Sequence, residues 1–218
     1  RNQRTLEANN MTDNAHIRLT LTRGVKVTSG MDPRLNTAGP TLIVLAEHKE
    51  PVYDKSGLSL ITSSVRRPSP DVLDPKIHHC NLIQSILAKI EATHAGADDA
   101  VLLDSNGFVA ETNATHLFIV EGGTVITSRL VACPEGITRE VVLGLCCDND
   151  IPHEVRDVSL TEVYRAEEMF CTGTMGELAP ITQVDGRTIG SGGIGLMTRR
   201  LAKLFNACVV AEAEPVLD

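Results

Sequence analysis

Residues 100–127 read AVLLDSNGFVAETNATHLFIVEGGTVIT. Four short runs, Ala100–Leu103, Phe108–Thr112, His116–Val120 and Thr124–Thr127, are parted by the turns Ser105-Asn106-Gly107 and Gly122-Gly123. Glycine and asparagine tolerate the left-handed backbone of tight hairpins, so this spacing predicts a β-meander. Just before it, Leu82, Ile83, Ile86, Leu87 and Ile90 recur at three- and four-residue intervals. They predict a helix ending at Gly96 with its apolar face packed on the sheet. Further upstream, Leu58–Val65 reads as a strand. Arg66-Arg67-Pro68-Ser69-Pro70 and Asp74-Pro75 then hold an extended loop that delivers Lys76, because proline fixes its own φ and restricts its predecessor. On the other side, Gly136-Ile137-Thr138 opens a helix with Val141, Val142 and Leu145 on one face, and Ser159-Leu160-Thr161-Glu162 has the capping-box pattern. Glu168–Thr172 is a short strand, Asp185-Gly186 a hairpin turn, and Met197–Cys208 a closing amphipathic helix.

Strands and helices that mix without strict alternation argue an α+β fold. The first fifty residues hold two strands, His16–Leu21 and Thr41–Ala46, too few for a stable domain. Residues 1–50 therefore read as the remnant of a small N-terminal α/β domain, 51–56 as a linker marked by Pro51 and Asp54, and 57–218 as the large domain. Opening at Arg1 rather than methionine fits a trimmed start. Of 218 residues 42% are hydrophobic, a globular proportion that excludes disorder and collagen. No apolar run approaches the roughly 18 residues of a membrane span. Twenty basic against 28 acidic residues leave a formal charge of -8, which argues against nucleic acid or anionic lipid as a partner. Six cysteines without a C-x-x-C pair fit reduced thiols in the cytoplasm.

Three features carry chemistry. Lys76 stands at a loop-to-helix junction, where functional groups collect, although a solvated lysine after proline is the plain alternative. Gly136-Ile137-Thr138 at a helix N-terminus and Thr172-Gly173-Thr174 after a strand both offer backbone and hydroxyl donors to an anion, though each is also an ordinary cap or turn. Glu111 ends an apolar strand and reads either as an exposed edge acid or as a half-buried carboxylate. If the three converge, an amine, a carboxylate and a phosphate cradle are what pyridoxal phosphate requires. His78 and His79 lack companions at metal-ligand spacing, so no metal is expected. Cys146-Cys147 in an apolar helix face reads as core packing.

The motifs Lys76-Ile77-His78-His79, Ile86-Leu87-Ala88-Lys89-Ile90-Glu91-Ala92, Gly107-Phe108-Val109-Ala110-Glu111-Thr112-Asn113, Pro134-Glu135-Gly136-Ile137-Thr138-Arg139 and Thr172-Gly173-Thr174-Met175-Gly176-Glu177, in this order, resemble the class IV, fold-type IV pyridoxal-phosphate aminotransferases. The likeness is nearest to the branched-chain and D-amino-acid aminotransferase-like branch. It implies transfer of an amino group between an amino acid and a 2-oxo acid, a homodimer, and Lys76 as covalent anchor and proton shuttle. It further implies Glu111 as partner of the pyridine nitrogen, and Ile137, Thr138 and Thr174 as the phosphate cradle. Arg18, and more weakly Arg23, match the small-domain arginine that meets a substrate carboxylate. Asn81 stands where some relatives place a tyrosine beside the cofactor's phenolic oxygen. Lys89 is the other lysine in reach, and its apolar helix fits a snorkelling surface residue. Two alternatives remain at this level: a lyase of the aminodeoxychorismate type, and a cofactor-binding chain made inactive by N-terminal shortening.

Overall fold

The computed structural model describes residues 1–50 and 52–217, so Pro51 of the expected linker lies outside the described residues. The chain divides into two compact units, Arg1–Glu50 with Ala213–Asp218, and Pro51–Glu212. In the first, α1 (Asn2–Ala8) buries Leu6, and β1 (Ala15–Thr22) pairs antiparallel with β2 (Thr41–His48) from Ala15 opposite His48 to Thr22 opposite Thr41. Helix α1 has no counterpart in the sequence reading.

The second unit contains β3 (Leu58–Arg66), α2 (Pro70–Leu73), α3 (Ile83–His94), β4 (Asp99–Leu103), β5 (Val109–Thr112), β6 (His116–Glu121) and β7 (Thr124–Thr127). It continues through α4 (Ile137–Asp148), β8 (His153–Val155), α5 (Leu160–Arg165), β9 (Glu168–Gly173), β10 (Glu177–Val184), β11 (Arg187–Thr188) and α6 (Leu196–Glu212). Nine strands form one mixed sheet in the order β5-β4-β3-β10-β9-β6-β7-β8, with β11 paired to β10. The sheet curls, so Leu60, Val101, Val109, Leu117, Met169 and Ile181 from six strands meet in one core on its inner side. Outside, Phe118, Val120 and Phe170 pack against Val142 and Cys146 of α4 and Leu201 and Phe205 of α6. With both faces covered, β4 and most of β6 are buried along their length, which is why they read as apolar runs.

The α+β fold is the one expected, but the stretch 100–127, expected as one β-meander, divides into two hairpins. β4 pairs with β5 and β6 with β7, while β6 takes β9 as its other neighbour. Thr112-Asn113-Ala114-Thr115 joins the hairpins without continuing the ladder. The Thr112 and Thr115 hydroxyls lie 2.7 Å apart, and the Thr112 hydroxyl accepts from the backbone N–H of both Ala114 and Thr115.

A second expectation is corrected. Helix α3 does pack on β3 and β4, but through Ala88 and Ala92, which meet Ala100 and Leu102. The larger apolar residues of the stripe, Ile83, Ile86, Leu87 and Ile90, are each 45 to 52% exposed. Small residues let the helix approach the sheet closely, which turns the bulky face outward. The paired cysteines also separate, with Cys146 in the core and Cys147 on the surface.

Candidate active site

The loop after β3 leads through α2 into a turn in which Asp74 accepts the backbone N–H of Lys76 through its carboxylate and that of Ile77 through its carbonyl. Lys76 is exposed there and lines a cavity of about 370 Å³ together with Glu111, His116, Thr138, Arg139 and Thr174. Lys89 is occupied elsewhere, with its Nζ 2.8 Å from the buried carboxylate of Asp99.

Glu111 stands on β5 opposite Leu102 and is 4% exposed. Its Oε1 lies 2.8 Å from Nη2 of Arg67, which also donates to the Thr112 carbonyl at 3.3 Å. Burial pushes the carboxyl up to about 7 against the pull of the guanidinium.

The opposite wall is the start of α4. Gly136 is the N-cap, in an extended conformation with no side-chain cap, so the first N–H groups of the helix are left for another acceptor. A Cβ at Gly136 would collide with Cδ2 and Nε2 of His116, so glycine is required there by space rather than by φ. Arg139, the third residue of the helix, is 5% exposed and donates from Nη2 to the Ser128 carbonyl at 3.0 Å, while its Nε has no partner among the described residues. Burial lowers its affinity for its proton. Thr172, on β9, is 1% exposed with its hydroxyl unpartnered among the described residues. His116 sits directly opposite Thr172 on β6, and burial with the charges of Arg139 and Arg67 holds its ring down to about 4, so it is neutral.

Of the residues singled out in the sequence, Lys76, Glu111, Ile137, Thr138 and Thr174 share this one cavity. Asn81 lines a neighbouring hollow of about 270 Å³, which has Glu111, His78, Ala114 and Pro134 in common with the first. Arg18 lies on β1 opposite Leu45 and Arg23 just beyond that strand, both exposed in the N-terminal unit.

Arg67, Arg139 and His116 were not singled out. Arg139 carried a legible signal, since a cation in the first turn of a helix opposes the helix dipole unless an anion accompanies it. Arg67 and His116 had none, because their roles depend on pairings across the sheet.

The family described as Amino-transferase class IV matches residues 2–184. The chain belongs to the class IV aminotransferase family. It is 51% identical over 214 residues to branched-chain-amino-acid aminotransferase-like protein 2 of Arabidopsis thaliana, covering 98% of this chain and 38% of that protein. It is 40% identical over 202 residues to a putative branched-chain-amino-acid aminotransferase of Methanocaldococcus jannaschii, covering 92% and 69%. The solved T.th. branched-chain amino acid aminotransferase, complexed with N-(5'-phosphopyridoxyl)-L-glutamate, superposes with a TM-score of 0.88 at 32% identity, covering 97% of this chain and 70% of that one. The chain thus spans well under half the length of the Arabidopsis relative and about 70% of the other two.

Proposed function

We propose that this class IV aminotransferase chain binds pyridoxal phosphate and transfers an amino group between an amino acid, of branched-chain or D-amino-acid type, and a 2-oxo acid. The observation that carries the reading is the pair of buried polar atoms without partners among the described residues, Arg139 Nε and Thr172 Oγ1, in residues that line the cavity at the N-terminus of α4. A buried cation and free donors at a helix start suit a phosphate group. The same cavity adds an exposed amine and a buried carboxylate, so the donor set fits all three functional parts of this cofactor.

Ile137 and Thr138 at the head of α4, Thr174 and Arg139 would hold the phosphate. Glu111, kept partly ionised by Arg67, would keep a proton on the ring nitrogen. When bound, pyridoxal phosphate supplies the electron sink that makes an amino acid's α-proton labile. Nζ of Lys76 would serve as covalent anchor and then move that proton between carbons, which requires the amine to be neutral for part of the cycle. Arg18 or Arg23 would receive the substrate carboxylate, and Asn81 would donate from the neighbouring hollow.

The outward stripe of α3 supports a homodimer, since Ile83, Ile86, Leu87 and Ile90 present a continuous apolar face suited to a second copy. The six unpaired thiols support a cytoplasmic, reducing setting. No helix among the described residues is long and apolar enough to cross a membrane.

The test is an absorption spectrum of the chain with pyridoxal phosphate, followed by borohydride reduction and peptide mapping. The expected result is a visible band that an amino acid bleaches and a reduced pyridoxyl adduct on Lys76. An adduct on another lysine overturns the assignment, and a chain that stays colourless with added cofactor overturns the function.

A further inference from the structure

We propose that His116 is a positioning residue of the anion site, its ring seating the Gly136 backbone at the head of α4 and offering Nε2 to the bound phosphate beside the Thr172 hydroxyl. This deepens the cofactor reading above and rests on it.

The ladder sets the placement. Phe118 and Phe170 are opposite each other on β6 and β9 and stack with ring centroids 4.9 Å apart, on the face that packs against α4. Side chains alternate along a strand, so the next pair on that face is His116 and Thr172. Both therefore emerge beneath the start of α4 and line the cavity with Arg139. The Cδ2–Nε2 edge of the imidazole fills the space a Cβ on Gly136 would need. Backbone and ring thus fix each other, and the free N–H groups of Ile137 and Thr138 are held in place by that contact.

Chemistry sets the role. The groups acting on the ring are its buried surroundings and the cations Arg139 and Arg67, with no hydrogen bond among them. His116 lines the cavity, and a phosphate there supplies an acceptor for one ring N–H. A neutral donor beside Arg139 adds directionality to a site whose charge is already provided. The bare alternative is that the ring only fills space over Gly136.

The two roles separate in the ratio of affinities for pyridoxal phosphate and pyridoxal, which differ only in the phosphate. Phenylalanine keeps the ring volume and removes both nitrogens. The His116→Phe chain should lose roughly ten-fold or more in affinity for pyridoxal phosphate, as expected for a hydrogen bond to a charged group, and bind pyridoxal as the unmutated chain does. His116→Gln, which restores a donor, should recover part of the loss. An unchanged ratio in His116→Phe overturns the inference and leaves the cofactor reading standing. An unmutated chain that binds neither compound, or does not prefer the phosphorylated one, overturns both. If His116→Phe does not fold, the ¹⁵N spectrum of the seven histidines in the unmutated chain decides. One ring should gain a hydrogen-bonded N–H with pyridoxal phosphate and not with pyridoxal, and no phosphate-dependent change overturns the inference.

Discussion

Nη2 of Arg67 lies 2.8 Å from Oε1 of Glu111, and the two side chains are 12% and 5% exposed. The pair is nearly dry, so each charge depends on the other for compensation, and burial still outweighs attraction for the carboxyl, which stays up at about 7. Near neutrality Glu111 is therefore divided between its two forms. A cation brought to it tips the balance to carboxylate, and loss of Arg67 tips it to the acid.

Arg67→Leu should accordingly push the Glu111 carboxyl above 7. Removing one member of a buried pair costs about 3 kcal/mol or more. At about pH 8 most of that cost should appear in urea unfolding, and less at about pH 6, where Glu111 takes up a proton. The double variant Arg67→Leu, Glu111→Gln should recover much of the loss. A pH-independent cost in the single variant would mean that the pairing carries no charge.

Two buried groups give the chain opposite pH dependences. Glu111 keeps its proton in the folded state up to about 7, against 4.5 for the ordinary group. Between those values the folded chain binds more protons than the unfolded one, so this contribution is present below 4.5 and lost as pH rises through 7. The His116 ring is lowered from 6.5 to about 4, so its contribution is present above 6.5 and lost as pH falls through 4. In thermal melts, the Tm of Glu111→Gln relative to the unmutated chain should rise from about pH 5 to pH 8. The relative Tm of His116→Asn should rise as pH drops from about 7 to 4.5. Parallel profiles for all three chains would refute both assignments.

Arg139→Met separates folding from anion binding. The substitution removes a buried cation that has no carboxylate partner among the described residues and leaves the Ser128 carbonyl without its donor, two changes of opposite sign. Net stability without ligand should move by no more than about 1 kcal/mol. Inorganic phosphate and pyridoxal phosphate should raise the Tm of the unmutated chain by mass action, and that rise should vanish in Arg139→Met. An equal rise in both chains would place the anion elsewhere.

Much of the second unit is legible in order, because strand runs, glycine turns and the Ser159 capping box are local signals. The cavity is half legible. Lys76, Glu111, Thr138 and Thr174 lie in motifs, whereas Arg67 reaches Glu111 only because β3, β4 and β5 stand side by side. The same limit explains His116, whose neighbour Thr172 is set by the β6–β9 register. It also explains α3. Periodicity tells which residues share a face but not which face meets the sheet, and Ala88 and Ala92 win because their small size lets the helix backbone come close.

The outward stripe of α3 makes the last prediction. Ile86 is 52% exposed in a single copy, so a glutamate there should cost the isolated fold no more than about 0.5 kcal/mol. At a contact between two copies it would place a charge in an apolar interface, and opposing carboxylates would add to the cost if the contact is two-fold. Sedimentation of the unmutated chain at micromolar concentration should give the mass of a dimer, and Ile86→Glu should give a monomer. The Tm of the unmutated chain should rise with protein concentration, as mass action demands, and that dependence should disappear in the variant. A dimer whose mass and melting are untouched by Ile86→Glu would show that the copies meet through another surface, leaving the α3 stripe without this explanation.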